Sequence, residues 1–84
     1  MDEITPNEIE AVKALTDKEL TGMFHLLHDH EIEYVENHAK SSQLYLDSPA
    51  FKFLIDWALG GSATVRLNQL SDHVHSEYWR RQFN

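Results

Sequence analysis

The chain has 84 residues, of which 42% are hydrophobic, and it contains no cysteine. This length allows one domain with one modest core, so we predict a single domain over residues 1–84, and the missing cysteines exclude disulfides and thiolate metal sites. The formal net charge of −7 arises from residues 1–42, which carry ten acidic and three basic side chains. We therefore expect no direct nucleic-acid binding, because phosphate contacts dominate that affinity.

Two helix-start signals lie close together near the N-terminus. Thr5 is followed by Glu8 three residues later, and Thr16 is followed by Glu19 at the same spacing. Both pairs match the capping box, in which the first side chain and the third helical residue satisfy each other's backbone amides. The first two predicted helices span residues 6–15 and 17–39, with a tight corner between them.

The apolar stripe of the helix predicted over residues 17–39 is interrupted by Glu31 and His38. One explanation is a kink or restart near residues 29–31, which would give Ile32, Val35 and Ala39 a new inner face. The other is that the two polar groups meet buried partners such as Arg66, because an unpaired buried carboxylate is costly.

The most apolar run of the chain extends over residues 49–61. Wound as a helix, it leaves only Lys52 and Asp56 as a narrow polar strip, which is typical of a buried central helix. Ser48 is placed to cap its start, and we predict that Gly60 ends it in the left-handed conformation. The predicted helix spans residues 49–59.

The final segment keeps one apolar stripe from Ala63 to Tyr78 and predicts one continuous helix over residues 63–82. A restart at Ser71 and a short strand over residues 64–70 are the alternatives. The predicted fold is all-α, a compact bundle of about four helices around the buried third helix.

Six histidines are present, and they suggest an alternative function as a metal- or pH-responsive module. His25, His28 and Asp29 have spacings that place metal ligands on neighbouring helical turns. Surface histidines beside acids are the commoner arrangement, so we predict no metal and no cofactor. Glu31 with His38 is the only pair placed for acid–base chemistry, and we predict no enzyme.

The junction GGSATVRLNQL also resembles the turn of a helix-turn-helix, because the helix after it would carry side chains of base-reading types. Those side chains are Thr64, Arg66, Asn68 and Gln69. The preceding helix is too apolar to lie across a phosphate backbone, so a turn between two core helices is the better interpretation.

With no catalytic constellation, the sequence favours a protein that acts by protein–protein interaction. We expect a regulator or inhibitor of the phage or mobile-element type that presents an acidic face to a basic target surface, and a DNA mimic is one form of such a protein. A structural homodimer or assembly component is a further alternative. No segment is long and apolar enough to span a membrane, so we expect a cytoplasmic location. The candidate partner-binding residues are Glu19, Asp29, Glu33, Glu36, Trp79, Arg80 and Phe83.

Overall fold

A computed structural model describes residues 3–28 and 32–83 of the chain, and these residues form six α-helices and no β-strand. The predicted all-α fold is confirmed, with two more helices than the four expected. The helices are α1 (Pro6–Ala14), α2 (Asp17–Leu26), α3 (Ile32–Ala39), α4 (Gln43–Asp47), α5 (Pro49–Leu59) and α6 (Ala63–Gln82).

Both helix-start signals at the N-terminus operate as the sequence predicts. The Glu8 carboxylate accepts hydrogen bonds from the Thr5 amide, at 2.8 Å, and from the Thr5 hydroxyl, at 2.6 Å. The Thr16 amide donates to the Glu19 carboxylate at 2.9 Å, and the Glu19 amide donates to the Thr16 hydroxyl at 3.2 Å. Because each cap satisfies amides that lack a helical partner, the two helices begin where these residues place them.

The prediction of one continuous helix over residues 17–39 is wrong, and the alternative of a restart near residues 29–31 is confirmed. The first helix of this stretch ends at Leu26 and a separate helix begins at Ile32, with Val35 and Ala39 fully buried. His38 precedes Ala39 by one residue and therefore lies about 100° away around α3. Its ring is exposed, and its Nδ1 atom lies 3.0 Å from the Tyr34 carbonyl oxygen. The inner position expected for His38 is therefore also wrong, and Glu31 lies outside the described residues.

The short helix α4 lies in the connection between α3 and α5, and a polar cluster fastens it to α5. The Tyr45 hydroxyl donates to Asp56 Oδ1 at 2.6 Å, and Lys52 Nζ donates to Asp56 Oδ2 at 2.7 Å. These bonds lower the pKa of Asp56, with Lys52 as the larger cause and Tyr45 as the second. The polar strip predicted on this apolar helix therefore serves to hold α4 in place.

Helix α5 has the predicted bounds, and its inner face is fully buried. It packs against α1, α3, α4 and α6, as expected for a central helix. Phe53, however, points away from that face and is 44% exposed, because the neighbouring helices cover only part of the α5 circumference. The buried residues of α5 are Phe51, Leu54, Ile55 and Ala58.

Gly60 ends α5 in a different way from the one predicted. Its backbone is right-handed, with φ −87° and ψ −1°, so the expected left-handed stop is wrong. A Cβ atom at this position would lie 2.9 Å from the Asp56 carbonyl oxygen. Glycine is therefore required here by a close backbone approach and not by a positive φ.

Helix α6 is continuous over 20 residues, as predicted, and packs against α1, α2, α3 and α5. It runs parallel to α1, since Gln69 meets Ile4 and Arg81 meets Leu15. It runs antiparallel to α2, since His75 meets Phe24 and Arg81 meets Asp17. Its inner stripe includes Leu67, Leu70 and Val74, and Ser71 is buried in mid-helix, so both the restart and the strand are wrong. The long last helix is therefore as central to the bundle as α5.

Candidate functional site

An exposed aromatic pair lies at the C-terminal end of α6. Trp79 and Phe83 are stacked with their ring centroids 5.8 Å apart, and they are 49% and 82% exposed. Behind them, Tyr78 stacks on Phe24 of α2 at 4.2 Å, and the Trp79 ring meets Phe24 edge-on at 6.4 Å. We call these four side chains, Phe24, Tyr78, Trp79 and Phe83, the aromatic surface.

Helix geometry explains why the aromatic surface faces outward. Tyr78 closes the inner stripe of α6, and Trp79 lies about 100° further around the helix, beyond the edge of the core. Phe83 follows Trp79 by four residues, which places the two rings one above the other on the same side. Helix α2 lies beside α6 in the antiparallel direction, and its Phe24 contacts Tyr78 and Trp79 near the C-terminal end of α6.

Three histidines lie against the same Phe24 ring. His75 stacks on it at 4.5 Å, His25 meets it edge-on at 5.6 Å, and His28 lies at 6.3 Å. The Nε2 atom of His75 is buried and has no hydrogen-bond partner among the described residues. Asp29, a candidate both for metal binding and for partner contact, lies outside those residues. Within the described ranges no group of three or more potential ligands is arranged to hold a metal ion.

Next to the aromatic surface, two arginines converge on the carboxylate of Glu77. Arg80 Nε donates to Oε1 at 3.1 Å, and Arg81 Nε donates to Oε2 at 2.8 Å. The Glu77 side chain is only 7% exposed. The hydrogen bonds from Arg80, followed by those from Arg81, outweigh the effect of burial and lower the pKa of Glu77 to about 2. Arg80 is thus already engaged within the protein.

Arg81 also joins α6 to the corner between α1 and α2. Its Nη1 atom donates to the Leu15 carbonyl at 2.8 Å and to Asp17 Oδ1 at 2.9 Å, and Nη2 donates to the Lys13 carbonyl at 3.0 Å. The guanidinium therefore satisfies carbonyl groups that the end of α1 leaves without helical partners. This anchoring fixes the end of α6 from which the aromatic pair projects.

The acidic candidates have different surroundings. The Glu19 carboxylate closes the α2 cap, and the hydrogen bond from the Thr16 backbone is the main cause of its lowered pKa, helped by the Ser48 hydroxyl. Glu33 and Glu36 are exposed on α3 and form no ion pair with a described residue. Helix α3 packs against α2 and α6, the two helices that carry the aromatic surface.

The residues that suggested a helix-turn-helix are partly engaged inside the fold. Arg66 Nη1 donates to the Trp57 carbonyl at 2.8 Å, and its guanidinium lies 4.9 Å from the Trp57 ring centroid. The Gln69 side-chain oxygen accepts a hydrogen bond from the Ile4 amide at 2.6 Å. Two of the four presumed base-reading side chains therefore hold helices and loops together.

Sequence reasoning missed two parts of this region. The helical spacing places Phe24 among the inward residues of α2, and nothing in that spacing indicates the rings that meet it from α6. The pairing of Glu77 with Arg80 and Arg81 did have a signal, because spacings of three and four residues bring oppositely charged side chains together on a helix.

No protein-family model matches this chain, and neither a curated protein nor a solved structure matches it. In the described part of the chain, no helix is both long enough and apolar enough to cross a membrane.

Proposed function

We propose that this protein acts by binding another protein, with the aromatic surface as its anchor and an acidic periphery that selects a basic target. The stacked, exposed pair Trp79 and Phe83 carries the proposal. Tryptophan and other large aromatic side chains supply much of the binding energy of protein interfaces when a partner removes them from water. A regulator or inhibitor of a cytoplasmic target fits this mode of action.

Contacts within the protein support Trp79 in the absence of a partner. Trp79 packs edge-on against Tyr78 at 5.5 Å and against Phe24, while Arg81 fastens the end of α6 to the α1–α2 corner. A side chain that is already ordered loses less conformational entropy on binding. This arrangement supports a role in recognition for the aromatic pair.

The distribution of charge supports a basic partner. All three arginines donate to internal acceptors, Arg66 to a carbonyl group and Arg80 and Arg81 to Glu77. Exposed carboxylates such as Glu33 and Glu36 have no such partner among the described residues. The surface offered to a target is therefore dominated by negative charge, which favours encounter with a basic protein.

Quantitative capture experiments with matched variants test the proposal. The tagged protein is used as bait in a native lysate, and the captured proteins are identified by mass spectrometry. The affinity for the most abundant captured protein is then measured with both proteins purified. We expect a basic protein whose binding weakens at least about tenfold in Trp79→Ala and Phe83→Ala. Phe53→Ala is the control, because it removes a half-exposed aromatic ring on α5 that is not part of the aromatic surface.

The charge component has its own control. The double variant Glu33→Gln/Glu36→Gln should slow association and reduce its salt dependence, whereas Glu3→Gln/Glu10→Gln removes the same charge from other exposed positions and should have a smaller effect. Competition by heparin or DNA for the captured protein would indicate that the target groove normally holds nucleic acid.

Two outcomes would overturn the proposal. In the first, Phe53→Ala weakens capture as much as Trp79→Ala while both variants remain folded. In the second, light scattering finds a dimer that Trp79→Ala dissociates, which would mean that a second copy of the chain covers the aromatic surface.

A further inference from the structure

A small groove lies on the opposite side of α6 from Phe24, between α1 and α6. Its volume is about 150 Å³, and its apolar wall is formed by Ile9 and Val12 of α1. Ser76 and His73 of α6 contribute to the other wall. A groove of this volume has room for one six-membered carbon ring.

The charged side chains around this groove are mostly basic, in contrast to the rest of the molecule. Lys13 and Arg80 line it together with Glu77, and the Glu77 carboxylate is already bound by Arg80 and Arg81. The Lys13 ammonium group is exposed and donates no hydrogen bond to a described residue. Arg80 uses its Nε and Nη2 atoms for Glu77, which leaves its Nη1 donors for another acceptor.

We propose that this groove binds a small organic carboxylate with an apolar body, of about the size of benzoate. The ring would lie against Ile9 and Val12, and the carboxylate would accept hydrogen bonds from Lys13 Nζ and the outer edge of Arg80. Charge-assisted hydrogen bonds of this kind are stronger than neutral ones, so the groove should bind an anionic ligand more tightly than a neutral ligand of the same shape. The proposed site is separate from the aromatic surface and independent of its partner.

Nuclear magnetic resonance titration of the whole protein tests this site, with benzoate as the probe. We expect saturable shifts of the Ile9 and Val12 methyl signals with a dissociation constant on the order of 1 mM, as is usual for so few ligand atoms. Benzamide has the same shape without the charge and should bind at least about fivefold more weakly.

Two variants and their controls assign the site. Lys13→Ala should weaken benzoate binding about five- to tenfold, whereas Lys18→Ala removes an exposed lysine outside the groove and should leave it unchanged. Ser76→Phe should block binding by filling the groove, and Trp79→Ala should preserve it. Circular dichroism verifies that each variant is folded.

The proposal fails if the methyl shifts do not saturate, or if benzamide binds as tightly as benzoate. It also fails if Lys18→Ala weakens binding as much as Lys13→Ala, because general attraction of an anion would then explain the shifts. Retention of binding in a folded Ser76→Phe variant would place the ligand elsewhere.

Discussion

At the scale of single residues, Glu77 is a mostly buried carboxylate on the inner side of α6. Burial alone would favour its neutral form, but two guanidinium groups donate hydrogen bonds to it and hold it ionised. Removing one partner of such a cluster leaves uncompensated charge in a poorly solvated place. Glu77 therefore couples the stability of the last helix to pH.

We expect Glu77 to contribute stability at neutral pH that is lost in acid. Its pKa falls from the ordinary value of 4.5 to about 2 in the folded protein, so the contribution is present above pH 4.5 and disappears as the pH drops toward 2. The full shift corresponds to roughly 3 kcal/mol. Because the Arg80 side chain is 58% exposed, solvent screening reduces this to about 1–2 kcal/mol.

Urea unfolding at a series of pH values between 7 and about 2 measures this contribution. The Glu77→Gln variant should lose less stability on acidification than the native protein, by about 1–2 kcal/mol. Glu10→Gln, at an exposed position of α1, serves as the control. If the native protein and Glu77→Gln gave parallel stability profiles, the ion cluster would have no such role.

His75 presents the opposite situation, a buried nitrogen atom with no partner among the described residues. We expect His75→Phe to stabilise the protein by about 1 kcal/mol, because a C–H group replaces the unsatisfied Nε2 atom while the stack on Phe24 is kept. Thermal unfolding at neutral pH measures the change. His25→Phe is the control, because His25 is exposed although it contacts the same ring, and a lower stability of His75→Phe would contradict the argument.

At the scale of helices, the sequence was sufficient to predict a helix boundary wherever a capping residue and an apolar stripe indicated the same position. The starts of α1 and α2 and both bounds of α5 could be predicted from such pairs. The break between α2 and α3 could be given only as one of two alternatives, because the sequence does not show which faces become buried in the folded bundle. Helix α4 has only five residues, too few for a periodic pattern, and packing holds it through Tyr45 and Asp56.

The end of α5 supplies a prediction that distinguishes two glycines. Gly60→Ala should destabilise the protein by about 1–3 kcal/mol, because the new Cβ would lie 2.9 Å from the backbone oxygen of Asp56. Gly22→Ala is the comparison, since its Cβ would instead meet the movable end of the Leu44 side chain, at 2.6 Å. Alanine also favours the interior of α2 by about 1 kcal/mol.

Chemical unfolding of both glycine variants decides this point. Gly22→Ala should lie within about 1 kcal/mol of the native protein, since the helix propensity and the contact with Leu44 oppose each other. A Gly60→Ala variant as stable as the native protein would mean that the end of α5 yields easily to the added methyl group.

At the scale of the whole molecule, helix-start signals and apolar stripes predicted the fold class, whereas charge and composition left the functional region open. Trp79 and Phe83 were recognised as candidates because they lie off the inner stripe of α6, and both are exposed in the structure. Their support by Phe24 could not be predicted, since it depends on the antiparallel packing of α2 and α6. Among the acidic candidates, the capping box already indicated a structural role for Glu19, whereas the exposure of Glu33 and Glu36 is seen only in the structure.

The hydrogen bonds of Arg81 have a consequence for folding during synthesis. They connect this residue to carbonyl groups 66 and 68 positions earlier in the chain, and the Ile4 amide is bonded to a side chain 65 positions later. On the ribosome, α1 and α2 emerge before α6 and cannot pack against it until its residues have been translated. Closure of the native bundle must therefore wait for the last helix, and until then the apolar faces of the early helices are available to chaperones.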